Sequence, residues 1–425
     1  MAQHKGLDTP NHPRQRSSRT TSLSRRLLSA FLFTTTITTP FGVHAYTPLS
    51  TCSLQHIPSA PPSDFDIHPE SNSLLAPILI PRVPGTEGSR LVQNHFVDFF
   101  STQLPDWTLE WQNSTSTTPV TGDQQIPFAN LILRRDPPWV KGDAKKEGNV
   151  KRLTLAAHYD SLYRPEGFIG AVDSAAPCAV LMAVARGVDS GLTKRWEGAM
   201  TRRKEMVDSS GLEEEEEEED EDIKGVQIVL FDGEEAWERW TSTDSTYGSR
   251  ALAEAWESSP YEASSTHSNR LESISLLVLL DLLGASNPRI PSYFWDTHGA
   301  YGNLAKIEDR LRNLGLLETA PASPFLPDRK KPYNRFTRGY IQDDHVPFME
   351  RGVKVLHVIP TPFPPVWHTM MDDGQHLDLP TVRDWAKIMT AFVAEWMDLD
   401  GVLAQGSCDV EEKKGSEGGM EKDEL

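Results

Sequence analysis

Four short apolar runs recur along the chain: RLTLAA at 152–157, VQIVLF at 226–231, SISLLVLLD at 273–281 and VKVLHVI at 353–359. Each is continuous rather than alternating, the pattern of a strand buried on both faces. Between the runs, apolar residues return at three- and four-residue spacing. Over 380–398, Val382, Trp385, Ile388, Met389, Phe392, Val393 and Trp396 lie on one such face behind Pro380. A proline at the start followed by this spacing predicts a helix. Strands alternating with helices predict an α/β fold: a single domain with a central mixed, mostly parallel β-sheet flanked by helices. The periodic region runs from about 86 to 400. Residues 46–85, rich in Ser and Pro, read as an irregular lead-in.

The ends carry a different kind of information. Arg25 and Arg26 precede LLSAFLFTTTI, then Pro40 and the small-residue pattern Val43-His44-Ala45. Residues 1–45 therefore read as a signal peptide cleaved near Ala45. The Thr-rich apolar stretch is short for a bilayer span of about 20 residues, so no stable membrane insertion is expected. The last four residues are Lys422-Asp423-Glu424-Leu425, the address read by the endoplasmic-reticulum retrieval receptor. Together they predict a protein of the endoplasmic-reticulum lumen with that receptor as a partner. The sequon Asn113-Ser114-Thr115 agrees with a secretory route.

A formal charge of −19 excludes nucleic acid as a partner, since binding to phosphates needs clustered Lys and Arg. Part of that charge is one run of ten acids, 213–222, whose self-repulsion predicts a solvated, disordered insert. The Gly-, Glu- and Lys-rich residues 401–425 read as a flexible tail. Three cysteines exclude a disulfide scaffold. Cys178 sits in an apolar helical run and is expected as a buried thiol, while Cys52 and Cys408 flank the folded region and could pair.

The unusual polar residues collect where the apolar runs end. His158-Tyr159-Asp160-Ser161 follows the first run, and Gly170-Ala171-Val172-Asp173-Ser174 comes soon after. Asp232-Gly233-Glu234-Glu235 follows the second, Asp281 closes the third, and Phe363-Pro364-Pro365-Val366-Trp367-His368 follows the fourth. Taken singly, an Asp at a strand end is a common helix cap and a Glu pair is commonly solvated. Taken together, they fall where open α/β sheets bind ligands, outside the carboxyl ends of the strands. His, Asp and Glu are the ligand types that suit zinc.

The strings AAHYDS, GAVDSAAPC, LFDGEEAW, LLDLLGASNP, DDHVPF and VLHVIPTPFPPVWHT resemble the motif set of glutaminyl-peptide cyclotransferases, a family that stands with the zinc-dependent aminopeptidases. The resemblance spans roughly 83–400. It implies a zinc aminopeptidase-like fold and one Zn²⁺ per chain held by Asp173, Glu235 and His368. It implies Glu234 as general acid/base, with the carboxylates of Asp281 and Asp343 beside it. Trp240, Phe363 and Trp367 then line the substrate pocket, and Gln342 contacts substrate. The implied reaction converts the N-terminal glutamine of peptides and proteins to pyroglutamate with loss of ammonia. One departure stands out: animal members pair a Cys in the HYDS motif with the position of Cys178, and here the first position is Ala157.

Two other readings stay open on the residues. HYDS and GEE fit a two-zinc aminopeptidase equally well, because His158, Asp173, Glu235, Asp281 and His368 suffice for two metals with Asp173 bridging. A non-catalytic lumenal binding protein using its acidic run is the other. DDHVPF and PFPPVWHT favour the cyclase, since the family builds a closed aromatic pocket from them.

Overall fold

The four apolar runs lie side by side in one sheet, from its middle to one edge. In the computed structural model, which describes residues 46–210, 223–337 and 339–403, they are β3 (Lys151–His158), β4 (Lys224–Phe231), β5 (Ile274–Leu280) and β6 (Val355–Val358). β3 pairs in parallel with β4 and with β5, and β5 pairs in parallel with β6. Every residue of β3 and of β4 after the first is buried. Helices cover both faces, which is why these strands are apolar throughout rather than alternating.

Two further strands, not singled out by the apolar pattern, extend the sheet. β1 (Thr108–Ser116) pairs antiparallel with β2 (Ile126–Arg135), and β2 pairs antiparallel with β4. The order is β1-β2-β4-β3-β5-β6. The sheet is thus mixed, with a parallel half that carries all four strand ends of interest.

The helices, in chain order, are α1 (Thr51–Gln55), α2 (Glu87–Gln103), α3 (Ala144–Glu147), α4 (Ala176–Ser210), α5 (Tyr247–Glu257), α6 (His298–Asn313), α7 (Val346–Met349) and α8 (Leu379–Trp396). α8 starts as its sequence requires: Pro380 is in the first turn, and the Asp378 side chain accepts from Thr381 N at 2.9 Å. Its apolar face packs on α4. α4 is long and apolar enough to cross a membrane, yet 89% of its most apolar window is buried inside this protein, so here it is a core helix.

Residues 46–85 have little regular structure but are part of the core. Leu49, Leu54, Phe65, Leu74, Leu75 and Ile78 are buried with the residues of α4 and α8. The segment is pinned where Leu49 N donates to Glu395 Oε1 at 3.0 Å. Cys52 is disulfide-bonded. Its sequence-suggested mate, Cys408, lies outside the described residues, as do the leader 1–45, the acidic run 213–222 and the Lys422–Leu425 address. Cys178 is a free, buried thiol that donates to His158 O at 3.1 Å.

Because β3, β4, β5 and β6 are parallel, their carboxyl ends open on the same side. His158 ends β3, Asp232 to Glu235 follow β4, Asp281 follows β5, and the loop bearing His368 follows β6.

Candidate active site

The paired glutamates are held first by their backbone. β4 breaks at Gly233, which has φ +73° and whose added Cβ would lie 2.3 Å from the Phe128 ring. Only glycine fits that turn. Beyond it, Glu234 N and Glu235 N donate to the two carboxylate oxygens of Asp160 at 3.0 and 3.1 Å, and Thr246 N donates to Glu234 O at 2.8 Å. Asp160 is fully buried, so this one side chain satisfies two buried N–H groups at once. Replacing it by Asn places an NH₂ group against one of those donors. Asp160→Asn is therefore expected to cost about 1–3 kcal/mol of stability, the range for a stranded buried polar group, read as a lower urea midpoint.

From this shared anchor the two side chains part, as neighbouring residues leaving a strand do. Glu235 meets Asp173 and His368, and one donor atom from each of the three lies within 4.8 Å of the others. His368 Nε2 is 3.4 Å from Asp173 Oδ2 and 3.6 Å from Glu235 Oε2. A tetrahedral zinc with bonds of about 2.0–2.2 Å spaces its ligand atoms by roughly 3.3–3.6 Å. Glu235 Oε1, buried, has no hydrogen-bond partner. A buried carboxylate oxygen left unpaired beside a second carboxylate and an imidazole is what a cation would satisfy. The residues fit a zinc, with a fourth coordination position left for another ligand.

The local electrostatics agree. Burial and the nearby Asp173 charge push the Glu235 carboxyl up to about 7. Burial pushes the Asp173 carboxyl up as well, but hydrogen bonds from His158 and His368 outweigh it and hold the group below the usual range. Burial disfavours charge on His368, yet Asp173 and Glu235 raise its imidazole to about 10. The two carboxylates concentrate negative potential at one point.

The other two ligand-bearing loops, those of Asp173 and His368, are braced as well. Arg82, fully buried, donates to Ile169 O, to Gly170 O at 2.9 Å and to Asp173 O at 3.4 Å. Asp372 takes Val172 N at 2.7 Å through its side chain and Ala171 N at 3.1 Å through its carbonyl. The loop of His368 is thereby tied to the loop of Asp173.

Beside this set sits a second one. His158 Nε2 lies 2.9 Å from Asp173 Oδ1 and 3.5 Å from Asp281 Oδ1, and its Nδ1 lies 3.4 Å from Asp160 Oδ1. Both ring nitrogens thus face carboxylates. Asp281 also accepts from Ser174 Oγ and from Leu282 N. Asp343 Oδ2 is 2.7 Å from His357 Nε2, and its Oδ1 accepts from Asp344 N. Glu234 lies outside both of these sets and outside a third group of ligand-type side chains, Asp343, His345 and His357. Burial raises its carboxyl well above the ordinary value; His158 opposes the rise, and the charges of Glu235, Asp343 and Asp344 add to it.

The aromatic residues form a wall next to this cluster. Phe363 packs edge-on to Trp367, with centroids 4.7 Å apart, and Trp367 stacks on the His368 ring at 3.9 Å. Trp240 Nε1 donates to Gln342 Oε1 at 3.0 Å. Four supporting residues carry no role that the sequence assigns: Asp160, Arg82, Asp372 and His357. Asp160 stands among the polar residues that follow the first apolar run and His357 is a polar residue inside the run VLHV, whereas Arg82 and Asp372 leave no such signal.

A parallel-centred sheet with carboxylate–histidine ligand sets at its strand ends defines a class of metal-dependent peptidases. Residues 140–393 match the pattern of peptidase family M28. The glutaminyl-peptide cyclotransferase of Bos taurus is 39% identical over 329 residues, covering 76% of this chain and 81% of its own. The glutaminyl-peptide cyclotransferase of Gloydius blomhoffii is 36% identical over 330 residues, covering 76% and 80%. The crystal structure of Macrostomum lignano glutaminyl cyclase superposes with a TM-score of 0.63 at 27% identity, covering 84% of this chain and 96% of its own. The chain belongs to peptidase family M28, among the glutaminyl-peptide cyclotransferases.

Proposed function

We propose that this protein converts the N-terminal glutaminyl residue of peptides and proteins to pyroglutamate, releasing ammonia, with one zinc per chain held by Asp173, Glu235 and His368. The observation that carries the reading is the division of labour between adjacent carboxylates: Glu235 belongs to a ligand set, while Glu234 is buried next to it and outside it.

A zinc at that set supplies a Lewis acid for the γ-carboxamide oxygen. The protein's own residues do the rest. Trp240, Phe363 and Trp367 enclose the glutaminyl methylenes and exclude water, and Gln342 contacts the substrate. So held, the substrate's α-amine stands against the carbonyl carbon of its γ-carboxamide, and closure of a five-membered ring supplies proximity. The new C–N bond forms as the amine attacks. Glu234 takes the proton that the amine sheds and returns it to the departing nitrogen, and the old C–N bond breaks to release NH₃. A carboxyl raised by burial and by neighbouring Asp343 suits a proton carrier near neutral pH. Asp281 and Asp343 keep that environment acidic and ordered.

The test is incubation of purified protein with a Gln-peptide and a Leu-peptide. Ammonia from the first with no free leucine from the second is expected. Leucine release without ammonia would instead establish an aminopeptidase. One observation favours that rival: Asp173 offers Oδ1 to the His158 side and Oδ2 to the His368 side, as a bridging ligand would. Against it, His158 Nε2 lies 2.9 Å from Asp173 Oδ1, a direct hydrogen-bond distance shorter than the roughly 3.3–3.6 Å that a shared zinc imposes on its ligand atoms.

We infer also a lumenal location in the endoplasmic reticulum, from the Lys422–Leu425 address and the leader. Asn113, exposed on the edge strand β1, is the expected glycan site. Asn113→Gln should abolish an endoglycosidase-sensitive mobility shift. Deleting the last four residues should move the glycosylated protein into the medium with its specific activity unchanged. Retention in carbonate-washed membranes would instead make the N-terminal segment an anchor and overturn its assignment as a cleaved leader.

A further inference from the structure

The loop that supplies Gln342 begins as a surface unlike the rest of this acidic protein. Trp295 is 51% exposed, Tyr333 67% and Tyr340 38%. They are not scattered. Trp295 packs edge-on to Tyr333 at 4.9 Å and to Phe336 at 5.6 Å, and Phe336 packs on His298 at 5.2 Å. Lys331 Nζ lies 4.6 Å from the centre of the Phe336 ring. This is a preassembled aromatic platform, and Trp and Tyr are the residue types that anchor interfaces at low ordering cost.

The platform is also basic. The segment DRKKPYNR, 328–335, has four basic residues against one acid in a chain of net charge −19. Arg329 pairs with Asp309 and Lys331 with Asp328. Lys330 and Arg335 are exposed, and among the described residues neither forms an ion pair. Asp296, beside Trp295, reduces the positive charge without cancelling it.

The platform is continuous with the pocket. Tyr340 precedes Gln342 by two residues and packs on Phe294 at 5.8 Å, and Phe294 adjoins Trp295. The path from the pocket rim to the platform runs two residues from Gln342 to Tyr340, across the ring contact to Phe294 and one residue on to Trp295, a span covered by about four to five residues of extended peptide.

We propose that Trp295, Tyr333, Phe336 and Tyr340, with Lys330 and Arg335, form a docking surface for the segment of a polypeptide substrate downstream of its N-terminal residue, selecting segments with acidic side chains at about the third to sixth positions. The identity of the N-terminal residue rests on the cyclase reading; the docking surface does not.

The experiment compares a Gln-dipeptide amide with two Gln-hexapeptides, acidic or basic at positions 3–6, at low ionic strength. The acidic hexapeptide should have the lower KM, by roughly 2- to 30-fold over the basic one, the combined range of two exposed ion pairs. Added salt should erode the difference. Lys330→Glu with Arg335→Glu should invert the preference, and Trp295→Ala should raise KM for both hexapeptides. All three enzymes should treat the dipeptide alike, with kcat unchanged. Equal KM values for the two hexapeptides in the unaltered enzyme, or a preference unmoved by charge reversal, would overturn the proposal. So would a Trp295-dependent dimer with peptide kinetics unaffected. If no Gln-peptide is cyclised, the cyclase reading fails by itself. Fluorescence anisotropy of the same acidic hexapeptide with a labelled carboxyl end then reads docking directly: binding lost on charge reversal supports the surface, and unchanged binding rejects it.

Discussion

Glu234→Gln is expected to keep its zinc and lose turnover by about 10²–10⁴-fold, the usual cost of removing a general acid/base. The substitution is close to isosteric, and the backbone of residue 234 is held by Asp160 and Thr246 rather than by its own side chain. The fold and the neighbouring ligand set should therefore survive. Burial already disfavours charge on this carboxyl, so an amide does not remove a strongly stabilising ion. What it removes is the capacity to accept a proton and give it back. KM should move little, because the proposed substrate walls are Trp240, Phe363 and Trp367. Zinc content and initial rate must be measured on the same preparation. A variant that loses its metal together with its activity would mean that Glu234, not Glu235, is the ligand.

The sequence carried the centre of this molecule better than its periphery, for a physical reason. A strand buried on both faces must be apolar at every position, so β3, β4, β5 and β6 stood out as continuous runs. β1, TLEWQNSTS, is an edge strand with most side chains half-buried or exposed, and nothing in its composition demanded a strand. The lead-in 46–85 packs Leu49, Phe65 and Ile78 into the core without periodicity, so its burial could not be inferred from spacing. Within the site, ligand-type residues were visible because they interrupt apolar patterns at strand ends. Their supports were not. The partners of the Asp160 carboxylate are backbone N–H groups 74 and 75 residues away. Arg82 caps carbonyls about 90 residues distant. Residues that act by holding another segment's backbone leave no local pattern.

Glu235→Gln should fail in the opposite way, by losing metal. Its carboxylate contributes Oε2 to the ligand set, 3.6 Å from His368 Nε2, and carries an unpaired buried Oε1. An amide keeps the shape but presents a neutral oxygen and an NH₂ group that repels a cation. Affinity should fall by more than the 10–100-fold typical of losing a mere supporting partner of a ligand. Because a metal that binds only the folded state stabilises it by mass action, the two glutamine variants separate in a melting experiment as well as in rate. A chelator should lower the melting temperature of the unaltered protein and of Glu234→Gln, and leave Glu235→Gln unmoved. Excess zinc should partly restore activity to Glu235→Gln and none to Glu234→Gln. Elemental analysis on the same samples counts the metal: one zinc per chain is expected, and His158→Ala should keep it, since His158 stands outside the Asp173, Glu235 and His368 set and its Nε2 is at direct hydrogen-bond distance, 2.9 Å, from Asp173 Oδ1. Two tightly held zincs, one of them lost in His158→Ala, would assign the second ligand set to a metal and the chemistry to an aminopeptidase.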